Sequence, residues 1–213
     1  MTGSRDDAPA RGAVVLAGGH STRFGGPDKA LAELDGVAMV RHVVDRLAAV
    51  VDSVVVPCRE PQVAGIRRAL VGSPVETAVV VDDVPDRGPV GGLLTGVRAT
   101  DAPMVAVAGC DMPRLDPEFV DWLFAESAGA TGAVPVFDGE RQPLCAVYRS
   151  TVTGATCLRS LAAGKRRLRD VVASVGPAVV PEETVRDRTT AATFENVNSQ
   201  ADLTVVEGQV TAD

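Results

Sequence analysis

The chain has little with which to build several common kinds of site. Aromatic residues fill 3% of its 213 positions, so the core has to be made from Ala, Val and Leu. Histidine occurs twice, as His20 and His42, and the four cysteines (Cys58, Cys110, Cys145, Cys157) include no C-x-x-C pair. That spacing argues against a structural zinc site, and a chain of this size needs no disulfide to hold a core. The cysteines are therefore expected to be buried and reduced. No run of 18 or more apolar residues occurs, which excludes a membrane-spanning helix. The opening residues, MTGSRDDAPARG, lack the apolar centre of a secretory signal, so the expected compartment is the cytoplasm.

What is there is acidic and rich in small apolar residues. The chain is 46% hydrophobic and 23% charged, with a net charge of −7. Its positive charge is almost all arginine, the only lysines being Lys29 and Lys165. A nucleic-acid binder needs a basic face, and only Lys165, Arg166, Arg167 and Arg169 offer one. No nucleic acid and no membrane is expected as a partner. That cluster reads first as a solvated face; its other reading is a contact to a substrate phosphate. A lysine-poor acidic surface fits a salt-adapted cytoplasm, and GC-rich coding explains the arginine excess equally well. Salt adaptation predicts a melting temperature that rises between low and molar KCl; a flat or falling trend in a thermal scan would remove it.

Short Val-rich runs at 13–16, 53–56, 78–81 and 104–108 alternate with helical patterns at 39–51, 62–71, 91–99 and 117–127. Strands apolar on both faces predict a mostly parallel sheet covered by helices on both sides. Asp116 is the expected N-cap of the fourth helix, with Pro117 at its first position. In the second half, 133–137 and 144–148 flank the turn signal Asp138-Gly139-Glu140 and read as a hairpin. Helices at 151–163 and 168–175, a strand at 178–180 and a last helix at 199–206, capped by Ser199, complete the pattern. The expected organisation is a disordered tail over 1–11, one α/β domain over 12–206 and a C-terminal tail over 207–213.

In open α/β sheets, ligands bind beyond the carboxyl ends of the strands. The first such loop, LAGGHSTRFGGPDKA (16–30), combines glycines that let backbone N–H groups approach an anion with Ser21, Thr22, Arg23 and Lys29. It reads as a phosphate cradle. It is neither a Walker A loop nor a G-x-G-x-x-G dinucleotide fingerprint. After the fourth strand, AGCDMPRL places Asp111 where a carboxylate faces the site and suits Mg²⁺. After the third, DDVPDRGPVGG offers Asp82, Asp83 and Asp86 as metal-directed or sugar-binding carboxylates, ahead of a helix whose N-terminus favours anions.

These residues match a family. The first loop resembles the L-A-G-G-x-S-x-R-x-G-x-x-K-A signature of nucleotidyltransferases with a GT-A-like Rossmann fold, a three-layer α/β/α architecture. Within that superfamily the chain is similar to the molybdenum cofactor guanylyltransferases. RGPVGGLLTGV (87–97) resembles their G-P-L-A-G-x-x-x-G, and AGCDMP (108–113) their C-D-x-P. QPLCAVYR (142–149) resembles Q-P-L-x-A-x-Y-R, and ENVNSQADL (195–203) resembles N-x-N-x-x-x-D-L.

The resemblance implies that Leu16, Ala17, Gly18, Gly19 and Ser21 contact a guanine nucleotide. Lys29, assisted by Arg23, would bind its phosphates. Asp111 would hold Mg²⁺ as the metal cofactor. The aspartate before G-P falls on Asp86, with Asp83 the alternative. Gln142, Pro143, Tyr148, Asn196 and Asn198 would face the acceptor. In VVVPCRE, Pro57 and Cys58 stand where relatives often carry an asparagine near the nucleotide. The implied reaction joins GMP from GTP to the terminal phosphate of the molybdenum–molybdopterin cofactor, with other molybdenum cofactor assembly proteins as further partners. A monoester phosphate is largely ionised near neutral pH, so His20 is not needed as a base. The same motifs leave open a cytidylyltransferase, a guanylyltransferase for another phosphorylated acceptor, and a nucleotide-binding assembly factor without turnover.

Overall fold

Alternation along the strands decides the architecture. On the first strand, Ala13 and Val15 point into one apolar cluster and Val14 into another on the opposite face. A strand buried on both faces belongs inside a sheet with helices above and below. The computed structural model describes residues 9–19, 28–82 and 87–210. His20, Ser21, Thr22, Arg23, Asp83 and Asp86 lie outside the described residues, as do 1–8 and 211–213.

In chain order the strands are β1 (Arg11–Leu16), β2 (Glu33–Leu34), β3 (Val37–Ala38), β4 (Ser53–Cys58), β5 (Glu76–Val81), β6 (Met104–Gly109), β7 (Gly132–Phe137), β8 (Glu140–Arg141), β9 (Cys145–Arg149) and β10 (Ala178–Val180). The α-helices are α1 (Met39–Leu47), α2 (Val63–Ala69), α3 (Gly88–Arg98), α4 (Pro117–Glu126), α5 (Ser150–Ala162), α6 (Leu168–Val175), α7 (Glu182–Arg186) and α8 (Gln200–Val210). The main sheet has the order β10-β7-β9-β6-β1-β4-β5, with β8 added to β7. β1 pairs in parallel with β4 and β6, β4 with β5, and β7 with β10. β9 runs antiparallel to both β6 and β7. Helices α1, α2 and α4 pack on one face around Val40, Leu47, Ile66 and Phe119. Helices α3, α5 and α6 cover the other around Leu93, Cys157 and Val171. This is the expected mostly parallel, three-layer arrangement.

Several local expectations are corrected. β4 does not stop at Val56 but continues through Pro57 to Cys58. A proline is tolerable there because the strand is ending, and its carbonyl still accepts the Ala17 N–H at 3.3 Å. β5 is not buried on both faces: it is the last strand of the sheet, so its valines stay half-exposed. Asp138 and Gly139, at φ 51° and 73°, turn β7 into the short β8 and not directly into β9. β9 instead inserts between β6 and β7. α1 ends at Leu47, earlier than its pattern suggested, and α8 runs on to Val210. Asp116 caps α4 as expected, accepting from the N–H groups of Glu118 and Phe119.

Candidate active site

The carboxyl ends of β1, β4, β5 and β6 lie side by side, because these four strands are parallel neighbours. Backbone bonds tie the loops that leave them. The Cys110 N–H donates to the Leu16 carbonyl at 3.1 Å, and the Asp82 N–H to the Cys58 carbonyl at 2.8 Å. Leu16, Ala17, Gly18 and Gly19 therefore leave the sheet between the β4 and β6 loops.

Lys29 and Asp111 meet there. Lys29 opens a short 3-10 turn (Lys29–Leu31) capped by Asp28. Asp111 follows β6. The Lys29 ammonium donates to Asp111 Oδ2 at 2.6 Å and to Asn198 Oδ1 at 2.8 Å. The two charged side chains are 15% and 19% exposed, so the pair is reached from solvent but not surrounded by it. Asn198 is held by a second set of bonds. The Val197 N–H donates to the Asp111 carbonyl at 2.9 Å. The N–H groups of Asn198 and Ser199 donate to the Asp202 carboxylate at 2.8 and 2.9 Å, and the Asp202 N–H returns to Ser199 Oγ at 3.2 Å. This reciprocal cap starts α8. The Asn198 N–H, ahead of the opposing cost of burial, leads in holding the Asp202 carboxyl below its ordinary range.

Gly109 is required by this arrangement. A Cβ on it would collide with Asp111 Oδ1. Gly109→Ala is expected to push the carboxylate away from Lys29, lowering kcat by roughly 10–100-fold, as misplacement on the ångström scale does. The melting temperature should barely change, since the clash is with a side-chain end. Unaltered kcat in a folded variant would contradict this placement.

The other sequence-derived residues are placed differently. Asn196 donates from its amide to the Phe194 carbonyl at 3.1 Å. Gln142 donates to the carbonyls of Phe137 and Glu140, bracing the β7–β8 turn, and Tyr148 donates to the Pro143 carbonyl. Leu144 from the same segment borders Gly109. Cys58 is fully buried, and burial pushes its thiol up to about 11. Pro57 packs instead toward Leu16 and Gly92, a small apolar wall at the ends of β1 and β4. Asp82 stands beside that wall, its Oδ1 accepting from Thr95 at 3.0 Å. Residues not singled out by the motifs also converge: Arg59 and Gln62 both bond Asp28.

Among the described residues, thiol and imidazole chemistry find no support at this site. Burial, then the charge of Asp111, holds Cys110 far above the ordinary thiol range. His42 Nε2 lies 2.8 Å from the Leu34 carbonyl, to which it donates, and is committed to the β2–β3 hairpin. Among the described residues, no three His, Cys, Asp or Glu side chains gather as a metal cage. The oxygens around Lys29 nevertheless suit Mg²⁺, which takes one or two protein carboxylates and completes its shell with phosphates and water. Asp111 Oδ2 and Asn198 Oδ1 both face the Lys29 ammonium.

Comparison with known proteins decides the family. The profile of the MobA-like NTP transferase domain matches residues 13–179. The chain belongs to the MobA-like nucleotidyltransferase family. It is thus a nucleotidyltransferase. It is 38% identical over 193 residues to the probable molybdenum cofactor guanylyltransferase of Natronomonas pharaonis, covering 91% of this chain and 95% of that one. It is 36% identical over 200 residues to the protein of the same name from Haloferax mediterranei, covering 94% of each. Among solved structures it is similar to molybdopterin-guanine dinucleotide biosynthesis protein A from Archaeoglobus fulgidus, with a TM-score of 0.74 at 24% identity over 95% of this chain and all of that one. The 4-diphosphocytidyl-2C-methyl-D-erythritol synthase of Anaerococcus prevotii also shares the fold, with a TM-score of 0.73 at 11% identity over 95% of this chain and 96% of that one. The fold alone therefore does not set specificity, which has to be argued from the site. No helix among the described residues is long and apolar enough to cross a membrane.

Proposed function

We propose that this nucleotidyltransferase moves GMP from GTP to the terminal phosphate of the molybdenum–molybdopterin cofactor and releases pyrophosphate. The observation that carries the reading is the Lys29–Asp111–Asn198 cluster at the ends of β1 and β6, in a chain over a third identical to named molybdenum cofactor guanylyltransferases.

The acceptor phosphate oxygen attacks the α-phosphorus in line. The bond from that phosphorus to the bridging oxygen breaks, and the electron pair leaves with pyrophosphate. A phosphate monoester has its second pKa near ~6, so the nucleophile arrives ionised and no residue has to remove a proton. The work left to the protein is to bring two anions together and hold them aligned. Lys29 turns from Asp111 to the incoming phosphates. Asp111 and Asn198 are then the residues to hold Mg²⁺, which supplies charge neutralisation and polarises the phosphoryl oxygens when bound. Arg23 and Ser21 are assigned to the phosphates, and Gly18 and Gly19 to backbone contacts.

For the base, Leu16, Pro57 and Gly92 offer a flat apolar wall. Asp82 replaces the amide that Pro57 cannot supply. A carboxylate accepts from both N1–H and the 2-amino group of guanine, whereas cytosine and adenine each present a lone pair beside their amino group. Asp86 and Asp83 are left for the ribose. The backbone of Arg166 abuts the start of α3 at Gly88, and the 165–169 cations are assigned to a substrate phosphate.

Pyrophosphate release from GTP, CTP and ATP, each with and without the molybdenum–molybdopterin cofactor, tests the reading. It requires release from GTP and only with the acceptor. Release from CTP would reassign the base; release from none in a folded sample would reassign the acceptor or the activity itself.

A further inference from the structure

We infer that Arg59, Asp28 and Gln62 form a clasp that sets where Lys29 stands, which makes them positioning residues for the transfer. The inference rests on the proposed reaction only through the role of Lys29 in it. Glycine supplies no stiffness to the chain leaving β1. Yet Lys29 has to arrive within hydrogen-bonding distance of a carboxylate 82 residues further on. The stiffness comes from the end of the neighbouring strand, β4.

Gln62 is 2% exposed, and its amide is fully committed. Its Oε1 accepts the Arg59 N–H at 2.8 Å. Its Nε2 donates to the Ala17 carbonyl at 2.8 Å and to Asp28 Oδ2 at 2.6 Å. The orientation is fixed by chemistry, since a carbonyl and a carboxylate can only accept. Arg59 repeats the link from the solvent side: its Nη2 donates to the Gly19 carbonyl at 3.3 Å and to Asp28 Oδ2 at 3.1 Å. Each side chain therefore joins the backbone just after β1 to Asp28. Asp28 Oδ1 meanwhile accepts the Ala30 N–H at 3.1 Å, capping the turn that begins with Lys29. A carboxylate held from three directions fixes the backbone from which the lysine departs. Among the described residues Arg59 Nε is buried without a hydrogen-bond partner. Leaving a buried donor unmade costs stability, so the guanidinium sits where the bridge needs it and not where its own donors would be best satisfied.

The test is a set of double-mutant cycles. Arg59→Met and Gln62→Met are each made beside Lys29 and beside Lys29→Ala, and kcat/KM for GTP is measured with Mg²⁺ and the acceptor, at matched folded fractions. With Lys29 present, each is expected to lose roughly 10–100-fold, the scale of a misplaced reacting group. Beside Lys29→Ala the loss should nearly vanish, because nothing remains to be positioned. Equal losses in both backgrounds, or none in either, would overturn the clasp. Asp28→Asn covers the case in which Gln62→Met does not fold: asparagine still caps the turn but carries no charge for Arg59, and the same dependence on Lys29 is expected. A crystal structure of Arg59→Met gives an arm independent of transfer. The clasp requires Lys29 Nζ to leave Asp111 while Asn198 stays; an unmoved ammonium would refute it. A wild-type protein that transfers nothing from GTP would defeat the proposed reaction and leave that structure to decide the clasp.

Discussion

Asp111→Asn is expected to lower kcat by about 10³-fold at saturating Mg²⁺, the upper range for removing one preorganised charge-stabilising group. The substitution keeps the shape of the side chain and removes its charge. It leaves the fold around it intact, because the bond that anchors the 195–199 segment uses the Asp111 carbonyl and not the carboxylate. Lys29 keeps Asn198 as a partner. The loss should therefore appear in turnover and in the Mg²⁺ dependence, while the melting temperature moves little. Steady-state kinetics across a Mg²⁺ titration checks it. Near-full turnover at saturating metal would remove Asp111 from the chemistry.

Lys29→Ala is expected to lower kcat/KM for GTP by roughly 10²–10³-fold, with affinity and rate falling together. The ammonium meets phosphate in the ground state and as charge builds on the leaving group, so both parameters carry its loss. The variant also leaves a half-buried Asp111 without its cation, so rates have to be compared per folded molecule. Asn198 cannot substitute for it; an amide has donors but no charge. Kinetics combined with equilibrium binding of GTP separates the two effects. A variant that loses affinity alone would confine Lys29 to binding, and one that loses neither would contradict its assignment.

How much of this was legible from sequence depended on whether the signal was local. The loop after Leu16 and the Gly-Cys-Asp step after β6 announce themselves, because glycines and single charges at the ends of apolar runs have few structural uses. That Lys29 and Asp111 touch was not legible, since their contact is set by the parallel pairing of β1 with β6. Asn198 was read toward the acceptor; it reaches Lys29 because Val197 is stitched to Asp111. The insertion of β9 between β6 and β7 was hidden for the same reason: a turn signal at Asp138-Gly139 says that the chain reverses, not which strand it then joins. Arg59 and Gln62 carried the weakest signal. The clue was Gln62 four residues before Ile66, a polar side chain on the buried face of a helical stretch, where an unpartnered amide would be costly.

The path of one phosphate decides whether the protein transfers a guanylyl group. GTP labelled at the α-phosphate and GTP labelled at the γ-phosphate, each incubated with the protein, Mg²⁺ and the molybdenum–molybdopterin cofactor, separate the possible paths. Guanylyl transfer requires the α-label in the cofactor product and the γ-label in pyrophosphate. The γ-label in the cofactor, or both labels remaining in guanine nucleotides, would contradict it.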